Sequence, residues 1–133
     1  MLKERAGKFY SEDNDLNCAE CLLHGANEEY DLGLDQKGLD TMSSFGGGMA
    51  VESVCRAFTG GVAVLGVMFT GDKSMDSEKR KAIISDIYKR FEDHFGSVYC
   101  SKIKEKFRDD VTGCRGVVEH SAEILDEIIQ KYQ

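Results

Sequence analysis

Proline and tryptophan are both absent from the 133 residues. Without proline the commonest helix breaker is gone, so glycine and capping residues must punctuate the chain. Long apolar runs are missing as well, and no segment reaches the ~18 residues of a membrane span. The opening Met1-Leu2-Lys3-Glu4-Arg5-Ala6-Gly7-Lys8 is charged throughout and holds no stretch that could serve as a signal peptide, so a cytoplasmic setting is expected. A basic excess is lacking too. Lys and Arg number 17 against 24 Asp and Glu, a formal net charge of −7. That balance argues against nucleic acid or an anionic membrane surface as the main partner, since both demand a basic face.

What remains is ordinary for a soluble globular chain: 41% hydrophobic and 31% charged residues. The length suits one domain over 1–133, large enough to bury a core without help from a metal or a disulfide. Five cysteines are the exception. In a reducing compartment they do not read as a disulfide scaffold, and the odd count leaves at least one thiol unpaired within a monomer. Chemistry is therefore sought at cysteine.

The apolar pattern is helical. Leu2, Ala6, Phe9 and Tyr10 recur at helical spacing, and the polar run from Ser11 to Asp15 breaks the helix they predict. Asn17 with Glu20 three residues on resembles a capping box, opening a helix to about Tyr30. A short helix is expected around Gly38 to Ser43, then a sharp bend at Phe45-Gly46-Gly47-Gly48-Met49. The run from Val54 to Phe69 is the most apolar. With no second strand-like segment to pair with, it is read as a central helix despite Gly60, Gly61 and Gly66, and Gly71-Asp72 ends it. Ser74 to Ser77 offers a cap for a helix whose stripe is Ile84, Ile87, Tyr88, Phe91 and Phe95, and Gly96 stops it. A short helix from about Val98 to Phe107 follows. A last one opens at Thr112-Gly113, with the stripe Val118, Ala122, Leu125, Ile129 and Tyr132. The expected fold is all-α, with five to seven helices.

Cys18 and Cys21 form a C-x-x-C pair at a helix start, where one helical face presents both sulfurs. The positive end of the helix dipole favours thiolate there. Residue 22 is Leu rather than His, which rules out covalent haem attachment. No strand precedes the pair, against a thioredoxin-like site. No second C-x-x-C exists, against a four-cysteine zinc ribbon. Cys55 follows the glycine bend, Cys100 lies near the start of a short helix, and Cys114 falls in the first turn of the last one. Four of the five cysteines thus lie near a helix start or a glycine, a bias that scattered core cysteines would not show.

Asn17-Cys18-Ala19, Phe45-Gly46-Gly47-Gly48-Met49, Cys55-Arg56-Ala57-Phe58-Thr59-Gly60, Cys100 and Cys114, taken in order, resemble the C-GCAxxG-C-C family of redox-active proteins. The family is marked by four cysteines around a Cys-Gly-Ala-x-x-Gly core. The resemblance runs from about Asn17 to the C-terminus and makes Cys18, Cys55, Cys100 and Cys114 the family cysteines, with Cys21 an extra. It implies a redox or metal role without naming a reaction. The family also resembles part of the split-Soret cytochromes, but this chain has no C-x-x-C-H and no covalent haem is carried across. Arg56 stands where the family core has glycine; it either blocks close approach to a ligand or stabilises a thiolate at Cys55. Arg56 and Gly60 are the core positions offered to a cofactor.

Three readings follow. In the first, Cys18, Cys55, Cys100 and Cys114 converge on one redox or electron-transfer site serving an unidentified redox partner. They either hold an iron–sulfur cluster or undergo dithiol–disulfide exchange, with Cys21 auxiliary or resolving. In the second they hold zinc, with Cys18, Cys21 and His24 as a partial variant. In the third the thiols are inert, and the apolar helix from Gly60 to Phe69 lines a small-molecule pocket or a homodimer interface.

Overall fold

The computed structural model describes residues 1–10, 15–45, 48–70 and 77–133. Seven α-helices occur among them: α1 Leu2–Phe9, α2 Cys18–Glu29, α3 Gln36–Asp40, α4 Arg56–Thr70, α5 Ser77–Phe95, α6 Cys100–Phe107 and α7 Arg115–Tyr132. Ser43–Phe45 forms a single 3₁₀ turn and Gly48–Glu52 a distorted wide one. The all-α expectation holds. The polar break at 11–14, two of the three glycines of the bend, and the stop and cap signals at 71–76 lie outside the described residues.

Local chemistry explains the helix ends. The Asn17 side chain accepts the Glu20 N–H at 2.8 Å while the Glu20 carboxylate accepts the Asn17 N–H at 3.1 Å, so the capping box is complete. Asp35 caps α3 by accepting the Gly38 N–H at 2.8 Å. At the first turn of α1 a distant residue takes the N–H: the carboxylate of buried Asp126 on α7 accepts from Leu2 at 3.1 Å and from the Tyr30 hydroxyl. Gly96 ends α5 at a φ of 77°, in the left-handed region glycine favours.

The buried residues make one contiguous core. Helices α1, α2, α4 and α7 pack on one another, and α5 covers α4 and α7. The apolar run is helical as read: Ala57, Val64, Leu65 and Phe69 of α4 are buried. Gly60 lets α4 cross α2 closely, for a Cβ there would lie 2.7 Å from the Cα of Ala19. This crossing brings the first turns of the two helices, and their cysteines, together.

One stripe is rotated from its expected phase. On α5 the buried face is Ile83, Ile87, Phe91 and Phe95, whereas Ile84 and Tyr88 are 37% and 43% exposed. Steps of four keep one line facing α4 and α7, and residues one position on fall about 100° round toward solvent. Tyr88 still lays its ring edge against Phe58, 5.8 Å between centroids. On α7 the buried face includes the expected Val118, Ala122, Leu125 and Ile129, joined by Val117, Ser121 and Ile128. No helix among the described residues is long and apolar enough to cross a membrane.

Candidate functional site: four cysteines at helix starts

Each of four cysteines is fixed by the backbone beside it. Cys18 is the first residue of α2, held by the capping box, and Asn17 also donates its amide to the carbonyls of Met42 and Ser43 at 3.0 and 3.2 Å. Cys55 and Cys100 flank a minimal antiparallel bridge between Val54 and Tyr99. The Cys55 N–H donates to Val98 and the Cys100 N–H to Ser53, both at 2.7 Å. Alternation across such a bridge puts Val54 and Tyr99 on one face and Cys55 and Cys100 on the other, as diagonal neighbours. Burial agrees, for both cysteines are buried while Tyr99 is 52% exposed. Cys55 also precedes α4, and its sulfur accepts the N–H groups of Ala57 and Phe58.

Cys114 precedes α7, after a tight loop closed by paired bonds between Asp109 and Gly113 at 2.9 and 2.8 Å. The Asp109 carboxylate steadies this loop, accepting from Val111 at 2.7 Å and Thr112 at 3.0 Å. The Cys114 N–H donates to the Tyr10 hydroxyl oxygen at 2.8 Å. All four sulfurs therefore stand at the starts of helices α2, α4, α6 and α7.

The four are brought together. Cys18 and Cys114 neighbour one another closely enough to shift each other's ionisation, and the Arg56 guanidinium lies beside both. Cys55 and Cys100 lie close enough to feel Cys114 and each other. Exposure does not distinguish them, at 1% for Cys18, 4% for Cys100 and 5% for Cys55 and Cys114.

Electrostatics does. The neighbouring Cys18 thiol draws the Cys114 thiol down to about 6 against the cost of burial, and Arg56 and Arg108 assist. Cys114 in turn, then burial, pushes Cys18 well above the ordinary thiol value. The pair thus loses its first proton from Cys114, leaving Cys18 as the S–H donor. Burial pushes Cys55 up to about 11 in spite of its two N–H donors, and raises Cys100 as well. The expectation that helix starts would depress these thiols fails at three of four: withdrawal from water raises Cys55 and Cys100, the Cys114 side chain and then burial raise Cys18, and only Cys114 is lowered.

The other expected residues are placed differently. Cys21 is wholly buried, its S–H directed at the Leu16 carbonyl 3.9 Å away, and burial followed by Glu20 pushes it up to about 12. Arg56 engages Cys18 and Cys114, so its partner is not the adjacent Cys55 foreseen for it. Gly60 faces Ala19 at the helix crossing. His24 packs its ring 5.2 Å from that of Phe9, and His94 pairs with His120 at 4.6 Å on the surface. Tyr10 and Arg108 belong to the site but carried no signal, one reading as the end of an apolar helix face and the other as a surface charge.

The donor set, four thiols, suits iron–sulfur or zinc chemistry. As arranged, however, no three His, Cys, Asp or Glu among the described residues stand where they could share a metal ion.

The described fold is all-α, with four of its cysteines at helix starts and Arg56 beside two of them. The chain belongs to the family described as "Putative redox-active protein (C_GCAxxG_C_C)", whose model matches residues 16–128. The match begins just ahead of Cys18 and includes all four cysteines of the site. No curated protein and no solved structure matches the chain.

Proposed function

We propose that this protein is a thiol–disulfide redox protein whose working dithiol is Cys18 with Cys114. The observation that carries the reading is that these two buried sulfurs neighbour one another with the Arg56 guanidinium beside both. A nucleophilic sulfur must be thiolate at neutral pH, and Cys114 alone of the five is lowered toward that state. A resolving sulfur must lie within reach, and Cys18 does. Starting from one thiolate and one thiol, oxidation removes two electrons and one proton from the pair and leaves a Cys18–Cys114 bond; a dithiol reductant reverses it. Cys55 and Cys100, neutral and backed by the bridge, hold the remaining wall of the site.

A second reading keeps all four thiols as ligands of an iron–sulfur cluster or zinc. Their convergence favours it, and it requires the sulfurs to draw closer than they stand. One experiment separates the two. Protein purified without oxygen is assayed for iron, zinc and sulfide, then oxidised with one equivalent of a soluble disulfide and mapped by peptide mass spectrometry. The dithiol reading predicts a Cys18–Cys114 linkage in metal-free protein. Stoichiometric metal lost on single Cys→Ser changes, with no defined linkage, would overturn it in favour of the second.

A further inference from the structure

A cavity of about 630 Å³ opens beside the dithiol, and Arg56, Arg108 and Arg115 line it together with Asp15 and Asp110. Arg115 is paired with Glu119 at 3.1 Å. Arg56 and Arg108 have no ion-pair partner among the described residues. Asp15 and Asp110 are exposed, where water screens their charge, but Arg56 is half-buried. The Cys114 thiolate answers the Arg56 charge on the inner side, while the cavity side of Arg56, and Arg108, face no paired carboxylate among the described residues. Arg56 is also shared, for it lines the cavity and lies beside both Cys18 and Cys114.

Resting on the dithiol reading above, we infer that this cavity binds the carboxylate end of a small acidic disulfide, which the Cys18–Cys114 pair then reduces. Bidentate contact with Arg56 and Arg108 suits a carboxylate. Cys114 itself does not line the cavity; it lies under the wall that Gly113 and Arg115 form. The bound carboxylate draws the Arg56 side chain toward the cavity and uncovers the sulfur. The Cys114 thiolate attacks one sulfur of the substrate, whose S–S bond breaks and releases one acidic thiolate, protonated by solvent. Cys18 gives up its proton and attacks the Cys114 sulfur of the mixed disulfide, expelling the second acidic thiol. Two electrons have passed from the protein dithiol to the substrate disulfide, leaving the Cys18–Cys114 bond.

The test uses full-length reduced protein and three probes of similar length: dithiodipropionate, which is dianionic, neutral hydroxyethyl disulfide and dicationic cystamine. The dianion should react at least about tenfold faster than the neutral probe at low salt, with cystamine slowest and the gap closing at high salt. Arg108→Gln, at an exposed position, should lower the ratio of dianion to neutral rates in protein whose circular dichroism is unchanged. Equal rates, or cystamine fastest, with the Cys18–Cys114 bond still forming would overturn the acidic-substrate inference and leave the exchange reading standing. No mixed disulfide at Cys114 and no internal bond with any probe would sink both.

Discussion

The two halves of the cysteine site are built in opposite ways. Cys55 and Cys100 are held by backbone: two 2.7 Å hydrogen bonds across the Val54–Tyr99 bridge set their separation whatever their charge. Cys18 and Cys114 come from separate helix starts that no backbone hydrogen bond joins among the described residues, and they meet only through their side chains, with the Arg56 guanidinium beside both. The first half is rigid and neutral, with Cys55 pushed up to about 11. The second carries the ionisable sulfur, Cys114 at about 6. Both halves sit at helix starts and are equally buried, so neither helix position nor exposure sets one thiol apart here. The neighbouring donors decide.

Removing sulfurs should break this contrast most sharply. Cys114→Ser and Cys18→Ser should each abolish formation of the internal disulfide, whereas Cys55→Ser should leave it forming; non-reducing peptide maps of the three variants check this. Next in size is a strike at the backbone half. Gly48 adopts a φ of 60°, and a Cβ there would lie 2.5 Å from the Ser53 nitrogen and 3.1 Å from the Cys100 Cβ. Gly48→Ala should cost about 2–4 kcal/mol in urea unfolding and raise the labelling rate of Cys100 above that of Cys18.

A smaller effect appears in the pH dependence of stability under reducing conditions. Cys114 is depressed from an ordinary value near 9, so its contribution is full above 9 and is lost as pH falls through about 6. Cys18, Cys21, Cys55 and Cys100 are raised, so their contributions are present below 9 and fade at higher pH, toward about 11 for Cys55 and about 12 for Cys21. The Tm of the wild type minus that of Cys114→Ser should therefore rise between about pH 6 and 9, and a flat or falling difference would contradict the assignment. Smallest is Cys21→Ala. It should cost about 1–2 kcal/mol as a lost core sulfur, read in urea unfolding, and leave the disulfide map unchanged.

Much of the fold was legible because its signals are local. The capping box at Asn17 and Glu20, the apolar spacing of α7 and the glycine stop at residue 96 each act within a few residues. The placing of cysteines at helix starts was legible for the same reason. The pairing within the site was not. C-x-x-C spacing joins Cys18 to Cys21 on paper, yet one turn of helix points Cys18 at α7 and Cys21 into the core. Its actual partner, Cys114, depends on how α2, α4 and α7 cross, and that crossing rests on Gly60 meeting Ala19. Tyr10 was hidden likewise, since a tyrosine closing an apolar face gives no sign that its hydroxyl will take the Cys114 N–H. The Val54–Tyr99 bridge was illegible for being one residue pair long.

The most direct test of the account is a thiol titration resolved cysteine by cysteine, with pulses of isotopically labelled iodoacetamide across pH. Cys114 should titrate with a midpoint near 6 and the other four above 9. At pH 7 Cys114 is largely thiolate, while a thiol at about 11 is ionised roughly one part in ten thousand. Its lower basicity offsets about two of those four decades, leaving it roughly a hundredfold faster than equally buried Cys55. Five thiols titrating together near 9, or Cys55 labelled before Cys114, would contradict the claim that the neighbouring Cys18 thiol and Arg56 single out one sulfur.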